Sequence, residues 1–160
     1  MFMEEQVNGL IIRKPMKTEY SELWSIVESI HKKQEKKRLY EDFNINHTKE
    51  SFRELIEKGM EEERIWVALL RGKIIGFINI KYQAPDYMFF DDKYVYIRYF
   101  YMEGNHQEYA EQLMETVVKD AKQYGFDYIC GDLIQDDEEM EQLYEKNEFE
   151  NYRIRLAKKL

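Results

Sequence analysis

The chain has little that would staple it, break it or carry it into a membrane. Cys130 is the one cysteine among 160 residues. A lone cysteine closes no disulfide within the chain, which fits a reducing, cytoplasmic setting. There are two prolines and seven glycines, with no long Gly/Ser/Pro linker and no internal repeat. A single domain over residues 1–160 is therefore expected, long enough to bury a sizeable core. No apolar run approaches the roughly 18 residues that suggest a spanning helix, so no membrane contact is expected. Met1-Phe2-Met3-Glu4-Glu5 lacks the charged-then-apolar pattern of a signal peptide. Positive charge is also short: 24 Lys and Arg stand against 32 Asp and Glu, a net −8. A nucleic-acid binder needs a basic face, so that class is disfavoured. The acidic balance is compatible with a cationic acceptor such as an amine. His31, His47 and His106 stand singly, and no His/Cys/Asp spacing suggests a metal site. Cys130, inside an expected strand, reads as a core thiol.

Apolar residues make up 44% of the chain and aromatics 15%, which excludes a disordered chain. Leu10-Ile11-Ile12-Arg13 reads as a first strand that Pro15 stops, since proline cannot donate to a ladder. Thr18 can cap a helix whose stripe is Leu23, Ile26, Val27 and Ile30. Its end, from His31 to Arg38, is a run of charges best read as a solvated helix terminus. Leu39 to His47 reads as a loop anchored by Tyr40 and Phe43. Thr48 can cap a second helix with Phe52, Leu55, Ile56 and Met60 inward. Trp66–Leu70 and Ile74–Tyr82 form a hairpin about Arg71-Gly72-Lys73. A loop runs from Pro85 through Asp91-Asp92.

The stretch from Lys93 to Gly125 organises the rest. Its first ten residues are aromatic and β-branched, a strand composition. Glu103-Gly104-Asn105 breaks the pattern. Ala110, Leu113, Met114, Val117, Val118 and Ala121 then recur at helical spacing, and Gly125 closes the helix. The N-terminus of such a helix is a natural anion site. Tyr128–Ile134 is a further apolar strand. Asp136 or Asp137 caps the next helix, and Asp136-x-x-Glu139 has capping-box spacing. Met140, Leu143 and Tyr144 line that helix, Asn147 ends it, and Tyr152, Ile154 and Leu156 alternate in a last strand. The order is βααβββαβαβ, an α/β chain with a mixed, mostly antiparallel sheet and helices on both faces.

This order, over nearly the whole chain, resembles the GNAT superfamily of N-acetyltransferases. Trp66 to Phe77 is similar to the family's second-and-third-strand hairpin, with Gly76 early in the second arm. Gln142 to Phe149 resembles its LYxKxGF segment, with Glu148 in place of glycine. The family's cofactor turn, Arg/Gln-x-x-Gly-x-Gly/Ala, aligns with Asn105-His106-Gln107-Glu108-Tyr109-Ala110, where only Ala110 fits. The resemblance implies acetyl-CoA as co-substrate and an amine acceptor. It implies that a splay beside the strand ending near Met102 exposes backbone groups of Phe100, Tyr101 and Met102 to the pantetheine arm. It places the pyrophosphate on the turn 105–110, and Asp137 where an asparagine often touches the cofactor. It makes Tyr144 the proton donor to the leaving thiolate. For a general base the expected central strand, Tyr94 to Met102, has no carboxylate, and Arg98 is its one charge. Asp132, on the adjacent strand, is the candidate, directly or through water, beside the plain reading of a solvated strand end. A second reading is a non-catalytic GNAT-like ligand-binding or protein-interaction module that has lost acetyl-CoA. A homodimer is left open.

The altered turn carries its own expectation. Asn105-x-x-Glu108 has the spacing of a reciprocal helix cap. Such a cap would consume N–H groups that otherwise face a pyrophosphate, and Glu108 adds negative charge beside it. Weak or absent acetyl-CoA binding is expected, with His106 or Gln107 as compensating donors.

Overall fold

The computed structural model describes residues 5–7, 9–35, 45–58, 63–82, 94–133 and 137–152, together with 154, 156, 158 and 160. Expectations placed on 39–44, Met60, the loop from Pro85 to Asp92, Ile134 and Asp136 lie outside these. The chain divides into two compact units, Met1–Lys14 with Met60–Glu150, and Pro15–Gly59 with Asn151–Leu160.

The first unit holds one six-stranded sheet. Its strands are β1 (Glu5–Val7), β2 (Leu10–Arg13), β3 (Glu63–Leu70), β4 (Lys73–Tyr82), β5 (Tyr94–Met102) and β6 (Tyr128–Gly131). They lie side by side in chain order, antiparallel throughout except for the parallel β5–β6 pair. That pair is parallel because a helix, α3 (Ala110–Gln123), crosses over between the two strands. β1 was not foreseen. Three residues without an apolar run give no period-2 signal, and Gly9, at φ +82°, supplies the turn that folds them onto β2. The β3–β4 hairpin turns on Arg71 (φ +53°) and Gly72 (φ +78°), two left-handed residues whose twist matches paired strands. Lys73 belongs to β4.

Leu113, Met114 and Val117 of α3 are fully buried, and they form one core with Ile78 and Ile80 of β4, Val95 and Ile97 of β5, and Leu143 and Tyr144 of α4 (Glu138–Lys146). Each such apolar side chain contributes about 1.5–3 kcal/mol on burial. Gly125, at φ +81°, follows α3 as expected, and Asn147 ends α4.

The second unit pairs α1 (Tyr20–Glu35) with α2 (Ile45–Lys58). Leu23, Trp24, Val27, Phe52, Leu55 and Ile56 are buried, with the Trp24 and Phe52 rings 6.0 Å apart. Both expected caps are corrected. Thr18 lies exposed inside a 3-10 turn, Lys17–Glu19, and the turn is closed by the Met16 N–H donating to Glu19 Oε1 at 2.7 Å. Thr48 lies within α2, which starts at Ile45, so the helix absorbs part of the expected loop. The last strand is also corrected. Tyr152, Ile154 and Leu156 lie in no strand and are exposed. Alternation marks a strand only where a neighbour supplies the ladder.

Glu148 adopts φ +63° after α4, at the place where the resembled segment has glycine. A side chain in that left-handed region is strained. Glu148→Gly is expected to stabilise the fold by about 0.5–1 kcal/mol, after the glycine's greater unfolded entropy is counted. Urea midpoints check this, and a lower midpoint would remove the strain argument.

Candidate active site

The site is built on the end of β5. β5 runs along β4 for its whole length, Val95 pairing with Tyr82 and Met102 with Gly76. Its pairing to β6 stops at Ile97 opposite Gly131. Among the described residues, the stretch from Arg98 to Met102 pairs with β4 and not with β6, which ends at Gly131. A bulge marks the same point. Ile80 pairs with Ile97 and Asn79 with Tyr99, leaving Arg98 as the extra residue. A bulge bends the strand that carries it and raises its twist.

Gly76 allows the far end of β5 to close down on β4. A Cβ there would lie 2.6 Å from the Tyr101 carbonyl oxygen and 2.7 Å from Met102 Cε. Phe100, Tyr101 and Met102 lie on the half of β5 that has no β6 partner among the described residues. Gln107 is not a free donor. Its Nε2 donates to the Met102 carbonyl at 2.9 Å, tying the turn to the strand end.

The turn itself differs from the expected cap. Residues Gly104–Tyr109 form a 3-10 turn with its N-cap at Glu103, and α3 begins at Ala110, which is buried. Neither start has a side-chain cap. Asn105 and Glu108 are both exposed, and the reciprocal Asn105–Glu108 cap does not form. The physical reason is the tighter winding: the chain satisfies its own groups by backbone bonds, such as His106 N–H to the Glu103 carbonyl at 2.9 Å. His106 Nε2 lies 3.7 Å from Glu103 Oε2, and its Nδ1 is buried without a partner.

Tyr144 and Asp132 do come together. The Tyr144 hydroxyl donates to the Asp132 main-chain oxygen at 3.3 Å. Its ring packs against Phe149 at 4.8 Å. Gly131 makes room for it, since a Cβ at 131 would collide with that hydroxyl. Burial pushes the Tyr144 phenol above its ordinary value of 10.0, and the nearby Asp132 and Cys130 add to the shift. Asp132 is exposed, immediately after β6. Its carboxylate accepts from the Tyr96 hydroxyl, and the Tyr96 phenol is raised first by burial and then by that bond. Cys130 is half-buried opposite Tyr96, not in the core. Asp137, of the two cap candidates, caps α4. Its Oδ1 accepts from the Met140 N–H at 3.2 Å, so that oxygen is committed to the helix.

Two pairings escaped the sequence reading: Tyr96 with Asp132 at the opening, and Arg98 with Glu63 of β3. Arg98 Nη1 donates to Glu63 Oε1 at 2.7 Å. Tyr96, Cys130 and Asp132 share a face by the parallel register and the two-residue period. Only knowledge of that register would have shown it.

Similar solved structures share this architecture. A mutant of the BH1408 protein from Bacillus halodurans has 17% identity and a TM-score of 0.77, over 94% of this chain and 99% of its own. An aminoglycoside acetyltransferase, meta-AAC0020, from an uncultured soil metagenomic sample, has 17% identity and a TM-score of 0.68, over 98% and 99%. Aminoglycoside N-acetyltransferase AAC(6')-Iy, solved with CoA, has 14% identity and a TM-score of 0.71, over 98% and 96%. At these identities the likeness is one of fold. No curated protein matches the sequence. The acetyltransferase (GNAT) family profile matches residues 23–149, more than half the chain, and the chain therefore belongs to the GNAT family of acetyltransferases.

Proposed function

We propose that the protein is an acetyl-CoA-dependent N-acetyltransferase that acetylates a primary amine of a small molecule or a protein. The end of the β5–β6 pairing carries this reading. It falls at Ile97 and Gly131, and a phenol and a carboxylate stand just beyond it. The residues present fit the cofactor. Phe100, Tyr101 and Met102 have no β6 partner among the described residues, so backbone groups on that edge of β5 can meet the pantetheine arm, apart from the Met102 carbonyl that Gln107 occupies. The turn Asn105-His106-Gln107-Glu108-Tyr109-Ala110 and the start of α3 would hold the pyrophosphate, with Asp137 as a further contact to the cofactor.

Bound acetyl-CoA supplies an activated acyl group that a neutral amine attacks directly. Asp132 takes the proton from the amine, directly or through water, from the sheet face that carries Tyr96. Tyr144, packed with Val95 and Ile97 on the other face, gives its proton to the departing sulfur.

Acetyl-CoA at about 100 times its dissociation constant is expected to stabilise the protein by about 2.7 kcal/mol. Thermal shift and calorimetry check this. Glu108→Gly is expected to tighten binding by removing a charge of about 1 kcal/mol influence at a partly exposed site. Because Glu108 caps nothing, stability should fall only by the lost charge at the helix start and the glycine's added entropy, about 1 kcal/mol. Turnover is then measured with sisomicin and with a lysine-containing peptide, since aminoglycoside acetyltransferases are among the similar folds. No stabilisation at millimolar acetyl-CoA, in wild type or Glu108→Gly, would favour the non-catalytic module, a reading that the exposed Glu108 at a family glycine position supports.

A further inference from the structure

Arg98 is the first residue of β5 past its last pair with β6, and Asp132 is the first residue past that pair on the other strand. The two stand across the opening from one another. Paired strands there are about 5 Å apart, within the span of an arginine side chain. The guanidinium nevertheless goes elsewhere. It crosses to β3, two strands away and roughly 10 Å distant, where Nη1 donates to Glu63 Oε1 at 2.7 Å. Asp132 accepts from the Tyr96 hydroxyl instead and makes no ion pair with a described residue.

Burial explains the choice. The Glu63 side chain is 8% exposed and the Arg98 side chain 39%. A carboxylate that deeply buried is costly unless paired, whereas Asp132 is solvated and loses little by lacking a cation. The Glu63–Arg98 bond is also less screened than a bond made at the open mouth. Lys81, the cross-strand partner of both Glu63 and Tyr96, is the other cation in this row.

We infer that Glu63 is a positioning residue for acetyl transfer: by holding Arg98 it keeps the guanidinium off Asp132, so that the carboxylate remains available to the acceptor amine. The inference rests on the N-acetyltransferase reading, with Asp132 as proton acceptor. Arg98 released from Glu63 would swing to the nearer carboxylate. The amine would then meet a neutralised acid beside a fixed positive charge. Tyr96 keeps Asp132 oriented without neutralising it.

The test is Glu63→Gln, in the full chain. Its kcat/KM for the amine is expected to fall about tenfold or more, since a positioned base contributes roughly 10²–10⁴-fold. Acetyl-CoA affinity should stay within about twofold, because the pyrophosphate end is untouched. Adding Arg98→Gln should return most of the lost kcat/KM. A purely structural ion pair predicts no such rescue. The double variant leaves no unpaired buried charge, so it stays readable should the single variant fail to fold. Wild-type kcat/KM in Glu63→Gln, or a double variant as impaired as the single, overturns the inference. A crystal structure of the free Glu63→Gln protein decides it without turnover. Arg98 within hydrogen-bond distance of Asp132 supports the inference, and Arg98 still directed at residue 63 overturns it. If wild type acetylates no amine, the kinetic arm reports failure of the acetyltransferase reading, while the crystal structure still decides the placement of Arg98.

Discussion

Replacing Tyr144 with phenylalanine is expected to lower turnover by about 10²-fold, the contribution typical of a positioned acid, and to leave acetyl-CoA affinity unchanged. The ring stays where it is, because Leu143 and Tyr144 share the core with Val95 and Ile97 and the ring packs on Phe149. Only the hydroxyl and its bond to the Asp132 carbonyl are lost. That bond is a long one, so its loss costs little stability, at most about 1 kcal/mol. The activity change and the stability change therefore separate, which is the signature sought. The phenol lies above 10.0 through burial first. An acid is lost as pH rises through its own value, so the alkaline side of the kcat profile should show no loss from Tyr144 up to about pH 10. Turnover by Tyr144→Phe equal to wild type, with any accepted amine, would remove Tyr144 from the mechanism.

Asp120→Ala is expected to cost about 3 kcal/mol of stability or more, because it breaks a buried charge network from one side. Asp120 is 6% exposed on α3. Its Oδ2 accepts from the Tyr82 hydroxyl at 2.6 Å and lies 3.5 Å from Arg64 Nη1. The Arg64 guanidinium in turn lies over the Tyr124 ring at 4.1 Å and the Tyr82 ring at 4.8 Å. The truncation leaves a cation and a buried hydroxyl without their acceptor. The network sits at the start of β5, where Tyr82 pairs with Val95, at the opposite end of that strand from Met102. Cofactor affinity should therefore hold once the variant is folded. Burial first, then the bond to Asp120, raises the Tyr82 phenol above 10.0. That contribution to stability is fully present below pH 10 and is lost as pH rises further, since the unfolded phenol ionises first. Urea denaturation at neutral pH checks the loss, and a cost under about 1 kcal/mol would show that Arg64 and Tyr82 find solvent instead.

Much of the candidate site was legible because its signals are local. The strand-turn-helix stretch from Lys93 to Gly125 announced itself by a change from aromatic, β-branched residues to helical spacing. The roles proposed for Phe100, Tyr101, Met102 and Tyr144 rest on one resemblance over nearly the whole chain. The caps were legible only as candidates. Asp137 does cap α4, while Thr18 and Thr48 do not cap their helices. A cap residue competes with whatever turn the backbone prefers, and the 3-10 turns at Lys17–Glu19 and Gly104–Tyr109 won that competition. The same preference removed the Asn105–Glu108 cap.

The sequence by itself determined the class of fold, the hairpin at Arg71-Gly72, the crossover helix α3 and the membership that follows from them, because hydrophobic period and turn chemistry act within a few residues. It also determined which groups are available: a phenol, one carboxylate on the strand beside the central one, and no acid on the central strand. Tertiary structure alone decided which of those groups meet. The Tyr96–Asp132 bond depends on a parallel register, and a slip of one residue would turn every side chain of β6 to the other face. Arg98 meets Glu63 across 35 positions of sequence because a bulge in β5 and the burial of β3 bring a cation to the costlier of two carboxylates. Such a choice is made by relative solvation, which no spacing in the sequence records.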